Sequence, residues 1–447
     1  MESDCPIDAE LRSEISALLI PPSPAQVDEY LDELIKSSNR HCHGIKVKQN
    51  GELGKGVYAD LGFKEGELLL KDQMLVGLQH SSNKIDCLVC SFCFRFIGSV
   101  ELQIGRRLYL QELGVSASQG CCQTDYSSED EDSRDSGPSS SSCKEKVPLP
   151  KGFAESLMKG GLKLPYSDKF PLPPAVLCHG GCGEAYYLQV VSREALVKFI
   201  QHANDTNDIF LLAAKAVSSS ILKYRKLKVA HSEEQENKPN VSGIPYPSLL
   251  LEAWKPMSVG HKRRWWDCIA LPFDVESSDE VAFRMQIREL AFTSLQLLKA
   301  AIFDEECKSL FSLDIYGHII GMFELNNLDL VVASPVEDYF LYIDDLPYPK
   351  RKKLRRLHDH FWMLLATTMQ FVAKSCMNHS CSPNAKAFKR EEDRDGQATI
   401  IALKPISKGE EVTISYVDED LPFEERQALL ADYGFKCRCP KCLEEEP

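Results

Sequence analysis

The chain has 447 residues, 43% hydrophobic and 26% charged, and 66 Asp+Glu against 52 Lys+Arg give it a net charge of -14. That length can bury a large core in two or three domains, and the composition is that of a globular protein rather than a disordered or fibrous one. An acidic surface argues against tight sequence-independent DNA binding, which rests on neutralising phosphates, and suits a basic partner such as a Lys-rich peptide.

Met1-Glu2-Ser3-Asp4-Cys5 lacks the basic-then-apolar pattern of a secretory signal, and no run reaches the ~18 apolar residues of a membrane span. An intracellular chain with no membrane contact is expected. Seventeen cysteines in a reducing compartment are poor candidates for disulfides, and their clustering points to zinc.

Residues 1–40 place apolar side chains at helical spacing, as in Glu10 to Ile15 and Glu29 to Ile35, and read as a helical lead-in. His41-Cys42-His43 alternates direction along an extended segment and is not expected to converge on one ion. From Ile45 to about Leu78 the pattern becomes short strands broken by glycine turns, including Gly54-Lys55-Gly56-Val57-Tyr58-Ala59. Cys87 and Cys90 form a CxxC pair. Residues 116–147 are so rich in Ser, Asp and Glu that a solvated, disordered loop is expected. A proline-rich stretch then leads to Cys178 and Cys182. Residues 192–230 and 280–312 read as helices, and of Trp265-Trp266 between them one is expected to pack in the helical region. Ile315 to Ile343 reads as apolar and strand-like. The basic run from Lys350 to Arg356 fits either a nuclear localisation signal or a solvated helix face. Strands over 398–403 and 411–416 and a helix over 423–433 complete the chain.

Three short segments carry chemistry. Cys437-Arg438-Cys439-Pro440-Lys441-Cys442 offers three thiolates, and structural zinc needs a fourth ligand for its tetrahedron; spacing alone leaves Cys376 and Cys381 both open. Asn378-His379-Ser380-Cys381-Ser382-Pro383-Asn384 concentrates side-chain donors and acceptors that can serve a polar ligand or simply close a turn. Gly409-Glu410-Glu411-Val412-Thr413-Ile414-Ser415-Tyr416 is a turn entering a strand that ends on a tyrosine. Each has an ordinary structural explanation. The Asn378 segment, then the Gly409 segment, then the cysteine tail, all within 378–442, make a highly specific combination.

In these motifs the chain resembles the SET-domain lysine methyltransferases of the SET-and-MYND type, and among them the plant trithorax-related SET proteins. The likeness extends to the opening GxG strand at 54–59, to Glu324-Leu325-Asn326-Asn327-Leu328 as an asparagine-bearing strand, and to Tyr433-Gly434-Phe435-Lys436-Cys437 entering the tail. It implies an α+β, β-rich SET fold with a pseudoknot, which is an exception to the usual absence of threading. The expected organisation is a lead-in over 1–40, the first part of SET over 41–86 and a truncated MYND-like cysteine region over 87–190. A helical insertion over 191–312, core SET over 313–418 and a zinc-binding post-SET tail over 419–447 follow.

The resemblance further implies transfer of a methyl group from S-adenosylmethionine to a lysine, on an H3-type histone tail or another Lys-rich protein. Lys55, Gly56, Tyr58, Asn326, Asn378, His379, Tyr416 and Phe435 would bind the cofactor. Tyr416 and Tyr433 would be catalytic and line the lysine channel. Cys381 would join Cys437, Cys439 and Cys442 on zinc, and Cys87, Cys90, Cys178 and Cys182 would regroup on a second ion or hold none. Transcription-factor partners, no sequence-specific nucleic acid and a nuclear location, with room for a cytoplasmic pool, complete the expectation. Two departures stand out. No further MYND ligands follow Tyr187, and the Gly/aromatic stretch that helps form the family's lysine channel is missing from 349–374. Loss of those residues would leave a non-catalytic SET scaffold, a chromatin adaptor, as the rival reading.

Overall fold

The computed structural model describes residues 5–23, 25–27, 29–30, 44–50, 54–73, 75–80, 84, 87–90, 94–113, 150, 152–174, 192–237, 246–260, 263–272, 275–326, 328–331, 334–348, 368–371, 377–388 and 397–446. The chain opens with helices α1 (Pro6–Glu10) and α2 (Arg12–Leu19), then strands β1 (Ile45–Asn50), β2 (Gly54–Ala59) and β3 (Leu68–Gln73). Helices α3 (Val100–Glu112), α4 (Phe153–Met158), α5 (Arg193–Asp205), α6 (Ile209–Asn237), α7 (Tyr246–Ser258), α8 (Trp265–Cys268), α9 (Glu280–Ile302) and α10 (Leu313–Asn326) follow. Next come β4 (Leu328–Val331), α11 (Pro335–Asp344), β5 (Thr368–Phe371), β6 (Asn378–His379), β7 (Ala385–Phe388), β8 (Gln397–Ala402) and β9 (Glu411–Ile414). Helices α12 (Phe423–Ala431) and α13 (Pro440–Glu445) close the chain.

The strands form small sheets. One is ordered β1-β2-β9-β6, one β3-β8-β7, and β4 pairs with β5. The sheet apolar faces share a core containing Val57, Leu69, Ile400, Val412 and Ile414. The helical residues make a larger core of their own, in which Phe210, Trp265, Tyr316 and Phe323 are fully buried. Ile15 and Leu18 of the lead-in belong to that same core, and the Trp254 indole N–H donates to the Leu18 carbonyl at 2.9 Å. Trp265 and Trp266 are both packing residues, at 1% and 6% exposure.

Ile315 to Ile343 is not a run of strand. It is helix α10, the short strand β4 and helix α11. Nine of the fourteen residues of α10 are buried, and Asp314, His318 and Glu324 give it only a narrow polar edge, so its apolar density masks the 3.6-residue period that tells helix from buried strand. Asn326 is therefore the last residue of a helix, and the strand starts at Leu328. Helix α3 was also unforeseen. Its signals are Val100, Ile104 and Leu108 on one face and Ser99 as N-cap, whose hydroxyl accepts from the Leu102 N–H at 3.1 Å.

Candidate functional site

Strand β9 organises the site. On one side it runs antiparallel to β2, pairing Val57 with Val412 and Tyr58 with Glu411. On the other it runs parallel to β6, pairing Asn378 with Thr413 and His379 with Ile414. The GxG strand and the Asn-His strand, far apart in the chain, are thus fixed two strands apart. Asn384 locks the arrangement: its amide donates to the Glu411 carbonyl at 2.8 Å and accepts from the Thr413 N–H at 2.8 Å.

Gly56 lies where the two flanks meet. A Cβ there would stand 2.5 Å from Glu411 Oε1 and 3.2 Å from Asn378 Nδ2, so a side chain at this position would require Glu411 to move. Asn378 Nδ2 donates to Glu411 Oε1 at 2.7 Å, which orients the amide and keeps its oxygen available as an acceptor. Lys55 Nζ donates to the Val259 carbonyl at 2.9 Å, tying the GxG strand to the helical region.

The aromatics converge beyond β9. Tyr416 lies 5.2 Å from Tyr433, 5.3 Å from His379 and 6.4 Å from Phe435, centroid to centroid. Its hydroxyl donates to the Met377 carbonyl at 2.6 Å. His379 Nδ1 accepts from the Tyr416 N–H at 3.0 Å, which leaves Nε2 as the protonated nitrogen, 3.2 Å from Cys381 Sγ. Burial, and then the positive Arg426, lower the His379 pKa to about 4, so the ring is neutral. Gly434 takes φ +81° between Tyr433 and Phe435, a turn that L side chains resist. Phe435 is 38% exposed.

Cys381, Cys437, Cys439 and Cys442 bring their sulfurs within 4.8 Å of one another. The Cys381 sulfur lies 4.0 Å from that of Cys437 and 3.5 Å from that of Cys442. Four sulfurs at ~2.3 Å from a tetrahedral zinc would stand about 3.8 Å apart, so this donor set fits the ion. Burial, with the neighbouring thiols, pushes Cys437 up to about 11. Burial also opposes ionisation of Cys439, but backbone N–H donors outweigh it and bring this thiol down to about 7. Zinc would complete the deprotonation. The tail is anchored by Gln427, whose amide bonds the Cys437 N–H and carbonyl at 3.0 and 3.1 Å.

Of the residues expected at the site, Gly56, Tyr58, Asn378, His379 and Tyr416 sit on or beside β9, and Tyr433, Phe435 and the four cysteines close around them. Asn326 stands on α10, with its amide nitrogen donating to the Met322 carbonyl at 2.8 Å. Cys87 and Cys90 are buried, and in the turn that follows the Cys90 N–H donates to the Arg95 carbonyl and the Cys90 carbonyl accepts from the Phe94 N–H, both at 2.8 Å. Cys178, Cys182, Cys376, the segment 116–147, His41 to His43 and the basic run from Lys350 lie outside the described residues. Glu411 and Asn384 are site residues that the motifs contained without singling out, and Arg426, on α12, lay outside every motif. Among the described residues no helix is long and apolar enough to cross a membrane.

The SET domain model matches residues 54–417. The Arabidopsis thaliana histone-lysine N-methyltransferase ATXR2 is 58% identical, with 100% of this chain and 99% of the relative covered. That alignment spans 484 residues and this chain has fewer, so the relative has positions that this chain skips. A Dictyostelium discoideum SET and MYND domain-containing protein is 43% identical over 77 residues, 17% of this chain and 21% of its own. The mouse protein-lysine N-trimethyltransferase SMYD5 is 43% identical over 79 residues, 17% of this chain and 18% of its own.

Proposed function

Since the chain belongs to the SET-domain family, we propose that it transfers a methyl group from S-adenosylmethionine to a lysine of a histone, with an H3-type tail as leading substrate. The observation that carries this reading is the single strand β9, which holds Gly56 and Tyr58 on one flank, Asn378 and His379 on the other, and leads directly into Tyr416.

S-adenosylmethionine supplies an electrophilic methyl group on a positively charged sulfur. The residues present fit it: a strand kept bare at Gly56, an oriented Asn378 amide and a part-exposed aromatic at Phe435. In this reading the backbone at Lys55, Gly56 and Tyr58 holds the methionine end, Asn378 accepts from its ammonium, and Phe435 stacks on the adenine. His379 contributes backbone groups, because both its ring nitrogens are committed within the protein. Asn326 is left its amide oxygen for a carboxylate-end water or ammonium. The zinc is structural and pins the tail so that Tyr433 and Phe435 close over the site.

The substrate amine must be neutral to attack, and a free lysine titrates at about 10.4. A channel walled by Tyr416 and Tyr433 disfavours the charged amine by desolvation, and a nearby positive centre does so by repulsion. Because the Tyr416 proton is given to the Met377 carbonyl, its oxygen is left as an acceptor that can orient the amine. Tyr416 is therefore a positioning and electrostatic group rather than a general base. Alignment of this kind can supply on the order of 7–11 kcal/mol. Nuclear action follows from a histone substrate.

The test is incubation with methyl-labelled S-adenosylmethionine, core histones and a panel of other basic proteins, comparing wild type with Tyr416→Phe. Label on a histone lysine that is lost in the variant is the expected result. Label on a non-histone protein alone moves the substrate. No label on any acceptor, from a chain that is folded, rejects the enzyme in favour of a scaffold.

A further inference from the structure

Beside Cys381 and the three tail cysteines lies a buried cation that the zinc reading does not by itself require. Arg426, on α12, is 1% exposed and among the largest fully buried side chains of the protein. It donates through Nη1 to the Leu421 carbonyl, and through Nη2 to Cys442 Sγ at 3.7 Å and to the Glu445 carboxylate, while its Nε has no hydrogen-bond partner. A guanidinium stays charged under all ordinary conditions, and burying one is costly without strong negative charge beside it. Glu445 is an incomplete answer: its side chain is 40% exposed, and a solvent-screened carboxylate is a weak partner.

The thiol cluster supplies what Glu445 does not. Four thiolates around one divalent cation leave a doubly negative centre. Three of its sulfurs accept a nitrogen donor: Cys381 from His379 Nε2 at 3.2 Å, Cys437 from the Cys439 N–H at 3.5 Å, and Cys442 from Arg426. Of these donors only Arg426 brings a full positive charge. We propose that Arg426 is the counter-ion of the tail's zinc tetrathiolate, a positioning residue that sets metal affinity through charge and through its N–H···S bond. This rests on the zinc reading above. The contrasting role is a mechanical pin, with Arg426 joining α12 to α13 through Glu445 and indifferent to the metal.

The two roles separate on substitution. In the full-length chain, the zinc lost in Cys439→Ser defines the tail site, and competition with a chromophoric chelator measures its affinity. Arg426→Met should bind that zinc about ten- to a hundredfold more weakly, the range for removed outer-shell partners. Arg426→Lys should retain more affinity than Met. Glu445→Gln should bind no more weakly than wild type, because the guanidinium then serves the thiolates alone. With Co2+ in place of zinc, the sulfur-to-metal charge-transfer band should move to longer wavelength in Arg426→Met and stay in place in Glu445→Gln. A folded Arg426→Met with unchanged affinity and an unmoved band overturns the proposal. So does a Glu445→Gln variant that loses zinc, and that arm decides the matter if Arg426→Met does not fold. A wild-type chain with no tail zinc overturns the zinc reading first and this proposal with it.

Discussion

Replacing Tyr416 with Phe separates chemistry from packing. The ring keeps its neighbours, Tyr433 at 5.2 Å, His379 at 5.3 Å and Phe435 at 6.4 Å. What is lost is one hydroxyl and its 2.6 Å bond to the Met377 carbonyl. A hydrogen bond of this kind contributes about 0.5–1.5 kcal/mol net, and in a large domain each kcal/mol moves Tm by about 2–4 °C. The fold should therefore persist with a Tm lowered by only a few degrees. Catalysis should suffer far more, because one pre-oriented hydrogen-bonding group at a reacting centre is worth about a hundred- to a thousandfold in kcat. Single-turnover methyl transfer at saturating S-adenosylmethionine, beside calorimetric melting and cofactor affinity, reads all three quantities. The expected result is a large loss in the transfer rate, a small loss in Tm and little change in cofactor affinity. A variant that retains near wild-type transfer shows that the hydroxyl orients nothing, and one that fails to fold shows that Tyr416 is structural.

Gly56→Ala should lower kcat/KM by up to about a hundredfold. Its Cβ can be admitted only if Glu411 swings away and gives up its 2.7 Å bond to Asn378; unchanged cofactor binding by titration calorimetry would refute this. Cys381→Ser or Cys439→Ser should each release the tail zinc, measured by elemental analysis, and lower Tm by several degrees. Lys215→Met tests a buried charge. Burial, and then Lys84, bring the Lys215 pKa down to about 8 from 10.5. The folded pKa lies below the unfolded one, so the charged side chain costs stability below pH 8, and that cost disappears as pH rises from 8 to 10.5. The cost is at most about 3 kcal/mol, and losing the 2.7 Å bond to the Gly77 carbonyl takes back about 1 kcal/mol. The variant should be about 1–2 kcal/mol more stable than wild type at pH 7 by urea unfolding, with the gap closing toward pH 10.5. A gap constant with pH would falsify the assignment.

The site was more legible than the fold around it. Strands β2 and β9, the Asn-His segment and the cysteine tail each carry a local signature, such as glycine where backbones meet, a tyrosine at a strand end, or thiols at ligand spacing. Their mutual contact is not local, and it was reachable only because the three motifs occur together. Helix α10 failed for the opposite reason. Nine of its fourteen residues are buried, so its polar edge is narrow and its dense apolar sequence reads as strand, which puts Asn326 on a strand that begins two residues later. Helix α3 carries a Ser99 cap and an apolar face at Val100, Ile104 and Leu108, but Gln103, Gly105 and Arg106 interrupt that face and keep its signal short. Glu411 and Arg426 look like ordinary charged residues in sequence. Only the structure shows that one holds the Asn378 amide and the other is fully buried against the thiols.

A long helical region can separate β2 from β6 because of how chain entropy scales. Closing a loop costs about (3/2)RT ln n, so each doubling of its length adds only about 0.6 kcal/mol. The real requirement is that the inserted chain bury its own apolar surface, and it does so around Phe210, Trp265 and Tyr316. The helical region also reaches back: the Val259 carbonyl holds Lys55 within the GxG strand. The helices thus touch the site at the strand proposed for the cofactor. A SET sheet stripped of this region would keep its motifs and lose the bond that ties Lys55 of the GxG strand in place.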